Sequence, residues 1–146
     1  MQKNINKYLI LFGIGGAVYY LIECIFHLVT TNKAYSHWTM FVLAGFLFVV
    51  LGLINELFSW ETPLLIQSIV GAAIATLLEY ITGCIVNIWL GWNVWDYSSL
   101  PFSLHGQINL FFSIAWIILS AIAIVVDDWL RYWWFDEEKP HYKILG

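Results

Sequence analysis

Charge is scarce in this sequence. Six Lys and Arg and ten Asp and Glu make up 11% of 146 residues, whereas a soluble domain carries about 25%. The formal net charge of −4 gives no basic surface for a polyanion, so no nucleic acid partner is expected. Cysteine is nearly absent. Cys24 and Cys84 each sit inside an apolar run, which excludes a disulfide framework and suits buried thiols that pack as small hydrophobes. No phosphate-binding loop and no H-E-x-x-H pair occurs, and no cofactor is expected. Internal repeats and low-complexity segments are also missing.

What the chain does hold is apolar and aromatic. Hydrophobic residues make up 61% of it, with 9 Trp, 8 Tyr and 10 Phe, a load suited to membrane interfaces where rings lie at headgroup depth. A membrane helix needs about 20 predominantly apolar residues. Four runs qualify: 8–29, 38–58, 64–90 and 106–130. The expected fold is therefore all-α, an integral membrane four-helix bundle forming one transmembrane domain over 1–146. It has an outer loop at 91–105 and a short cytoplasmic tail at 131–146. Lys3 and Lys7 before the first run resemble a signal peptide. However, the run is too long and Glu23 interrupts it, so it reads as a retained helix. Pro63 suits the first turn of the third helix, and Thr62 before it is placed to cap.

Five of the six basic residues, Lys3, Lys7, Arg131, Lys139 and Lys143, fall outside the first and fourth helices, and only Lys33 falls on the other side. The positive-inside rule then gives a multi-pass protein of the cell membrane with both termini cytoplasmic.

Lipid does not drive helices together, so interfaces recruit small and polar residues. Such seams run through Gly13, Gly16, Tyr20, Glu23 and His27; through Gly45, Gly52 and Asn55; through Ser68, Ala72, Ala75, Glu79, Thr82 and Asn87; and through Asn109, Ser113, Trp116, Ser120 and Asp127. A charge at mid-bilayer costs about 2.5–3.5 kcal/mol on insertion scales. Glu23 and Glu79 therefore stand out, because on this topology they lie at similar depth in the outer half. Two close carboxyls in a low dielectric do not both ionise; they can share a proton, bind a cation or act as acid and base. The plain structural alternative is a protonated acid hydrogen-bonded across the bundle.

The outer loop carries Trp92, Trp95, Asp96 and Tyr97, followed by Pro101, and reads either as an interfacial belt or as a lid with Asp96 turned inward. The candidate polar cavity comprises Glu23, His27, His37, Glu79, Asn87, Asp96, Tyr97, His105 and Asn109. The scattered histidines share no helical turn, and no metal is expected. Asp127 and Arg131, at i and i+4, are expected to hold the helix end at the membrane surface. Residues 132–135 are expected to lie along the headgroups, with a solvated tail from Asp136 onward.

Several stretches together resemble a family of small bacterial inner-membrane proteins, the ABC-transporter type IV permeases. They are Ser36-His37-Trp38-Thr39-Met40, Leu78-Glu79-Tyr80-Ile81-Thr82-Gly83, Trp95-Asp96-Tyr97-Ser98 through Pro101-Phe102, Gly106-Gln107-Ile108, and Asp127-Asp128-Trp129-Leu130-Arg131-Tyr132 with Glu137 to Tyr142. The resemblance covers roughly residues 20–143 and departs from the family pattern between Glu23 and Ser36, and at His105 and Asn109. It implies a transport component, a permease-like subunit, working as a homo-oligomer or with a separate partner subunit in the lipid bilayer. On that reading the partner is an ATPase. Two other functions fit the residues. One is a membrane-embedded enzyme acting on a lipid or lipid-linked substrate, with Glu79 or Asp96 as acid or base and His37 or His105 assisting. The other is an accessory or structural membrane protein.

Overall fold

The computed structural model describes residues 2–34 and 36–144, with side chains for all of these except residues 2–4, 55 and 56. The side chains of Lys3 and Asn55, used in the reading above, therefore lie outside the described residues. The chain forms the expected all-α four-helix bundle: α1 (Gln2–Thr31), α2 (Trp38–Leu57), α3 (Leu64–Gly83) and α4 (Leu110–Phe135). Among the described residues, three stretches, Ile5–Thr31, Leu64–Trp89 and Leu110–Phe135, are long and apolar enough to cross a membrane. The 20 residues of α2 rise about 30 Å, close to the hydrocarbon thickness. The protein is a multi-pass membrane protein, and side chains such as Leu21, Ile25, Val29 and Leu77 point out to lipid.

The bundle is two helical hairpins, α1 on α2 and α3 on α4, joined through contacts of α2 with α3 and α4. Close approach explains the first hairpin. A Cβ on Gly16 would lie 2.6 Å from the Phe41 carbonyl oxygen, and one on Gly45 would lie 2.7 Å from that of Phe12. Backbone cannot yield as a side chain does, so only glycine fits. Gly13, expected on this seam, faces open space, and Gly15 takes the contact instead, against Phe48. Of the expected seams of α3 and α4, Ser68, Ala72, Ala75, Trp116 and Ser120 are buried, Thr82 and Ser113 are half-buried, and Ile124 joins the buried face.

Beyond Gly83 the third helix continues as π-helical turns over Cys84–Trp89, the kind of irregularity often found near functional sites. The fourth helix starts at Leu110 rather than at Gly106. His105 and Gly106 both have positive φ, and Ser103–Leu104 (β1) pairs antiparallel with Ile108–Asn109 (β2). Asn109 then caps α4, its Oδ1 accepting from the Phe111 and Phe112 N–H groups at 2.9 and 3.4 Å.

At the end of the bundle carrying the termini, the tail packs onto the protein instead of running free. Pro140 is buried, and the Tyr142 hydroxyl donates to Asp128. Trp60 Nε1 donates to Glu138 at 3.0 Å, while its ring packs on His141 and Tyr142. Thr62 makes no side-chain cap for α3; Pro63 is the N-cap. The tail carbonyls of Lys143 and Ile144 accept instead from the first helical N–H groups, Leu64 at 2.6 Å and Leu65 at 3.1 Å. Those groups have no intrahelical partner in any α-helix. The Lys143 ammonium, 2.5 Å from Glu61, holds that carboxyl below its usual range. Bonds from His141 and then Trp60 do the same for Glu138.

Candidate functional site

Glu79 lies on the buried seam of α3 and is only 4% exposed. Helical spacing puts Ala72 and Ala75 on the same face, and their small size lets α2 and α4 close over it. The indole of Trp116 on α4 and the hydroxyl of Tyr97 in the loop lie near enough to act on the carboxyl. Glu79 Oε1 has no hydrogen-bond partner among the described residues. That is unusual for a buried acceptor.

Glu23 on α1 is close enough for its charge to act on Glu79. Glu23 Oε2 accepts from Ser36 Oγ at 3.1 Å, and the neighbouring Tyr20 hydroxyl donates to the Ser36 carbonyl at 3.2 Å. Tyr19, one turn before Glu23, feels both carboxyls and stacks on Trp116, with centroids 6.1 Å apart and planes 11° from parallel. The cluster is therefore Glu23, Glu79, Tyr19, Trp116 and Tyr97, with Ser36 at its rim.

The loop over this cluster is pinned by two amides. Asn87, on the π-helical segment, donates from Nδ2 to Gln107 Oε1 at 2.8 Å, and its Oδ1 accepts from the Val94 and Trp95 N–H groups at 2.7 and 3.4 Å. Trp95 Nε1 in turn donates to the Gln107 carbonyl at 3.0 Å. A Cβ on Gly83 would lie 2.5 Å from Gln107 Oε1, so that glycine makes room for the pin. Tyr97 is set by its own N–H to the Gly106 carbonyl at 2.8 Å and by stacking on Phe112 at 5.0 Å. Burial, then the charge of Glu79, raises the Tyr97 hydroxyl above its ordinary value, so it stays a donor.

Asp96 is exposed. Its Oδ1 accepts from the Ser98 hydroxyl at 2.5 Å and N–H at 2.9 Å, which lowers its pKa below the ordinary value. The next residue, Tyr97, takes the inward position. A Cβ on Gly106 would lie 2.5 Å from Asp96 Oδ1, so this turn needs glycine for space as well as for its φ of +72°.

The histidines scatter. His37 is the N-cap of α2, its Nδ1 accepting from the Thr39 N–H at 3.2 Å, and its ring lies among Trp38 and Trp92. Exposed His105 meets the Tyr80 hydroxyl at 2.7 Å. His27 packs edge-on to Phe26, one turn from Glu23. Among the described residues no three His, Cys, Asp or Glu are grouped to hold a metal ion. Asn109 is engaged in capping α4 and in bonds to the Pro101 carbonyl and Ser103 Oγ. The structure thus brings together Glu23, Glu79 and Tyr97. It sets Asn87 and Asn109 as loop supports and places Asp96 and His105 on the exposed side of the loop. Tyr19 and Gln107 were not among the expected site residues, though Tyr19 sits at i−4 from Glu23 and Gln107 within a stretch that carries the family resemblance.

A groove of about 150 Å³ between α1, α2 and α4 reaches this cluster; Tyr19 and Trp116 form part of its wall. A larger one, about 590 Å³, lies between α3 and α4 and is lined by aliphatic side chains, Thr76, Tyr80 and Ser113, with no carboxyl. Neither groove is lined by Glu23 or Glu79; the smaller one meets the cluster only through Tyr19 and Trp116.

Comparison with curated proteins and with solved structures finds no match. The family described as "Putative ABC-transporter type IV" matches residues 8–142, nearly the whole chain, and the protein belongs to that family.

Proposed function

We propose that the protein is a permease-like transport component whose polar pathway passes the Glu23–Glu79 pair. The observation that carries this reading is Glu79 itself. It is a carboxyl on a membrane-spanning helix, buried beside aromatic side chains, with one oxygen lacking a partner among the described residues and a second carboxyl within electrostatic range. An ionisable group at that depth is costly to keep for packing alone. Family membership supports a membrane transport role. Five of the six basic residues flank the termini, which supports cytoplasmic termini in a bacterial inner membrane and an outward-facing loop. The chain has no phosphate-binding loop, so ATP hydrolysis on this reading belongs to a separate subunit. Four helices are few for a lone transporter, which favours a homo-oligomer or partner. The enzyme alternative is less well supported, since His37 caps a helix and Asp96 and His105 lie on the outer side of the loop.

The test is ion flux in proteoliposomes carrying a trapped pH-sensitive dye under an imposed potential. The wild type should pass protons above the level of empty liposomes. Glu79→Gln retains shape and hydrogen bonding, so it should keep its fold by circular dichroism and lose that flux. A folded Glu79→Gln variant with full flux would remove the carboxyl pair from the pathway.

A further inference from the structure

The buried face of α3 does not end at Glu79. It runs on through Gly83, one turn further, to Val86 and Asn87 on the π-helical segment. Side chains four apart share a helix face, and here both levels meet one atom of the loop. Gln107 Oε1 accepts from Asn87 Nδ2 at 2.8 Å and would lie 2.5 Å from a Cβ on Gly83. The Trp95 ring reaches Gly83 too, 3.0 Å from that Cβ position. Val94 and Trp95 pack on the buried core that holds Ala72, Ala75 and Trp116. The loop is thus seated in the end of the bundle like a stopper, one turn beyond Glu79. We propose that this loop is a gate over Glu79 and that the Asn87–Gln107 pair is its latch. The inference rests on the transport reading above, since the way along this face from the loop side to Glu79 crosses the layer of Trp95 and Gln107.

The loop has the parts a gate needs. Positive φ occurs at both of its ends, at Gly91 and Asn93 on one side and at His105 and Gly106 on the other. A Cβ on Gly91 would meet nothing within 4 Å, so glycine there serves backbone conformation and not packing. Hinges are loop positions of this kind, few in number and able to absorb a change in φ and ψ. Between them the loop holds its own shape. Ser103 Oγ donates to the Tyr97 carbonyl at 2.7 Å, and the Tyr97 N–H donates to the Gly106 carbonyl at 2.8 Å. Its inward side-chain ties to the end of the third helix, among the described residues, are those of Asn87, which also accepts from the Val94 and Trp95 N–H groups. The Trp92 N–H bond to the Val86 carbonyl lies at the hinge, and the Tyr80–His105 bond lies on the exposed side. Side-chain amides suit a latch, because bonds broken on opening are remade to water. Tyr97 belongs to the same unit and lies near enough to Glu79 to act on it, so opening separates the two.

The experiment measures access of water-borne reagent to Glu79. The protein in lipid nanodiscs is treated with the water-soluble carbodiimide EDC and glycine ethyl ester, and the labelling rate of each carboxyl is read by peptide mass spectrometry. Wild type should label slowly at Glu79. Asn87→Ala should raise that rate roughly tenfold, the shift expected when opening no longer breaks the latch's hydrogen bonds. Asp127, fully buried at the other end of the bundle, should keep its wild-type rate. If Asn87→Ala does not fold by circular dichroism, Gln107→Ala replaces it. No rise at Glu79 overturns the gate. An equal rise at Asp127 also overturns it, because the whole bundle would then have loosened. A lock supplies the converse. The Gly83 Cβ position lies 3.0 Å from Gln107 Cβ, near the spacing of about 3.8 Å in a disulfide. Gly83→Cys with Gln107→Cys, in a Cys24→Ala and Cys84→Ala background, can therefore be bridged by oxidation. The bridged form should label Glu79 more slowly than the reduced form and pass fewer protons in proteoliposomes, with dithiothreitol restoring both. Flux that persists through the bridge overturns the gate and leaves the transport reading standing. Latch-dependent labelling together with full flux in Glu79→Gln defeats the transport reading and leaves the loop as the cover of Glu79.

Discussion

Buried carboxyls occur at both ends of the bundle, and they are answered in different ways. At the end carrying the termini, Asp127 is fully buried and meets Arg131, Nε to Oδ2 at 2.7 Å, one turn along the same helix. Arg131 also reaches Glu137 at 3.6 Å and lies over the Tyr8 ring at 5.7 Å, while Lys7 meets Glu137 at 3.2 Å. Asp128 takes the Tyr142 hydroxyl. Asp127 does keep one oxygen without a hydrogen bond, but a Cβ on Gly52 would lie only 2.4 Å from that carboxylate, so α2 leaves no space beside it. At the loop end, Glu79 is buried with no Lys or Arg on any of the four spans near it, and Glu23 lies close enough for its charge to act on it, with Ser36 and His27 beside Glu23. A charge neutralised within the chain and sealed by backbone reads as structure. A buried carboxyl that no Lys or Arg answers is the stronger candidate for function.

The largest test of this contrast is Arg131→Leu. Removing one partner strands a buried carboxylate, which costs about 3–5 kcal/mol. Thermal unfolding in detergent should show a large fall in Tm. The double variant Asp127→Leu with Arg131→Leu should recover much of it, because well-packed apolar replacements of a buried pair are often neutral. Failure of the double variant to recover would mean that the pair does more than hold the bundle. A smaller effect is expected for Gly52→Ala, whose new methyl lands 2.4–2.5 Å from the Asp127 carboxylate. Overpacking of this kind costs about 1–3 kcal/mol, and the same unfolding measurement should rank it between wild type and Arg131→Leu.

The smallest effect is on pH. Glu61 and Glu138 have folded pKa values below their ordinary ones. The contacts they make therefore stabilise the docked tail fully above the ordinary glutamate range and are lost as pH falls through the lowered values, below about pH 4. Amide exchange at Leu64 and Leu65, corrected for its intrinsic pH dependence, should rise over that window. If the docked tail held equally well at low pH, the surface ion pairs would be idle and the backbone bonds alone would hold it.

Much of this was legible from the residues. The four apolar runs became four helices, and the small and polar spacing of α3 and α4 became their buried faces. Glu79, singled out as a carboxyl within an apolar run, is indeed buried. What was not legible depended on partners distant in sequence. Asp127 and Arg131 read as a surface pair by spacing, but their burial comes from Gly52 on another helix and from the returning tail. Asp136–Lys143 reads as solvated by charge, yet each of Glu137, Glu138, His141 and Lys143 has a partner, most of them on distant elements. Gly106 and Asn109 fell within an apolar run, so the turn before α4 was absorbed into the helix, although a glycine and an asparagine there are also turn and cap residues. Asp96 drew attention as a carboxylate, but its Asx turn with Ser98 faces it away and hands the inward position to Tyr97.

The bonds from Leu64 and Leu65 to the carbonyls of Lys143 and Ile144 have a consequence for biogenesis. Ribosomes release a chain from its N-terminus, so α3 enters the membrane long before the residues that complete its first turn are made. Until then two backbone donors at its start depend on water. Closure of that end thus waits on residues 143 and 144, and it ties their arrival to the order of the whole bundle. A nascent chain that stalls before residue 143 would carry all four helices and still present an open helix start.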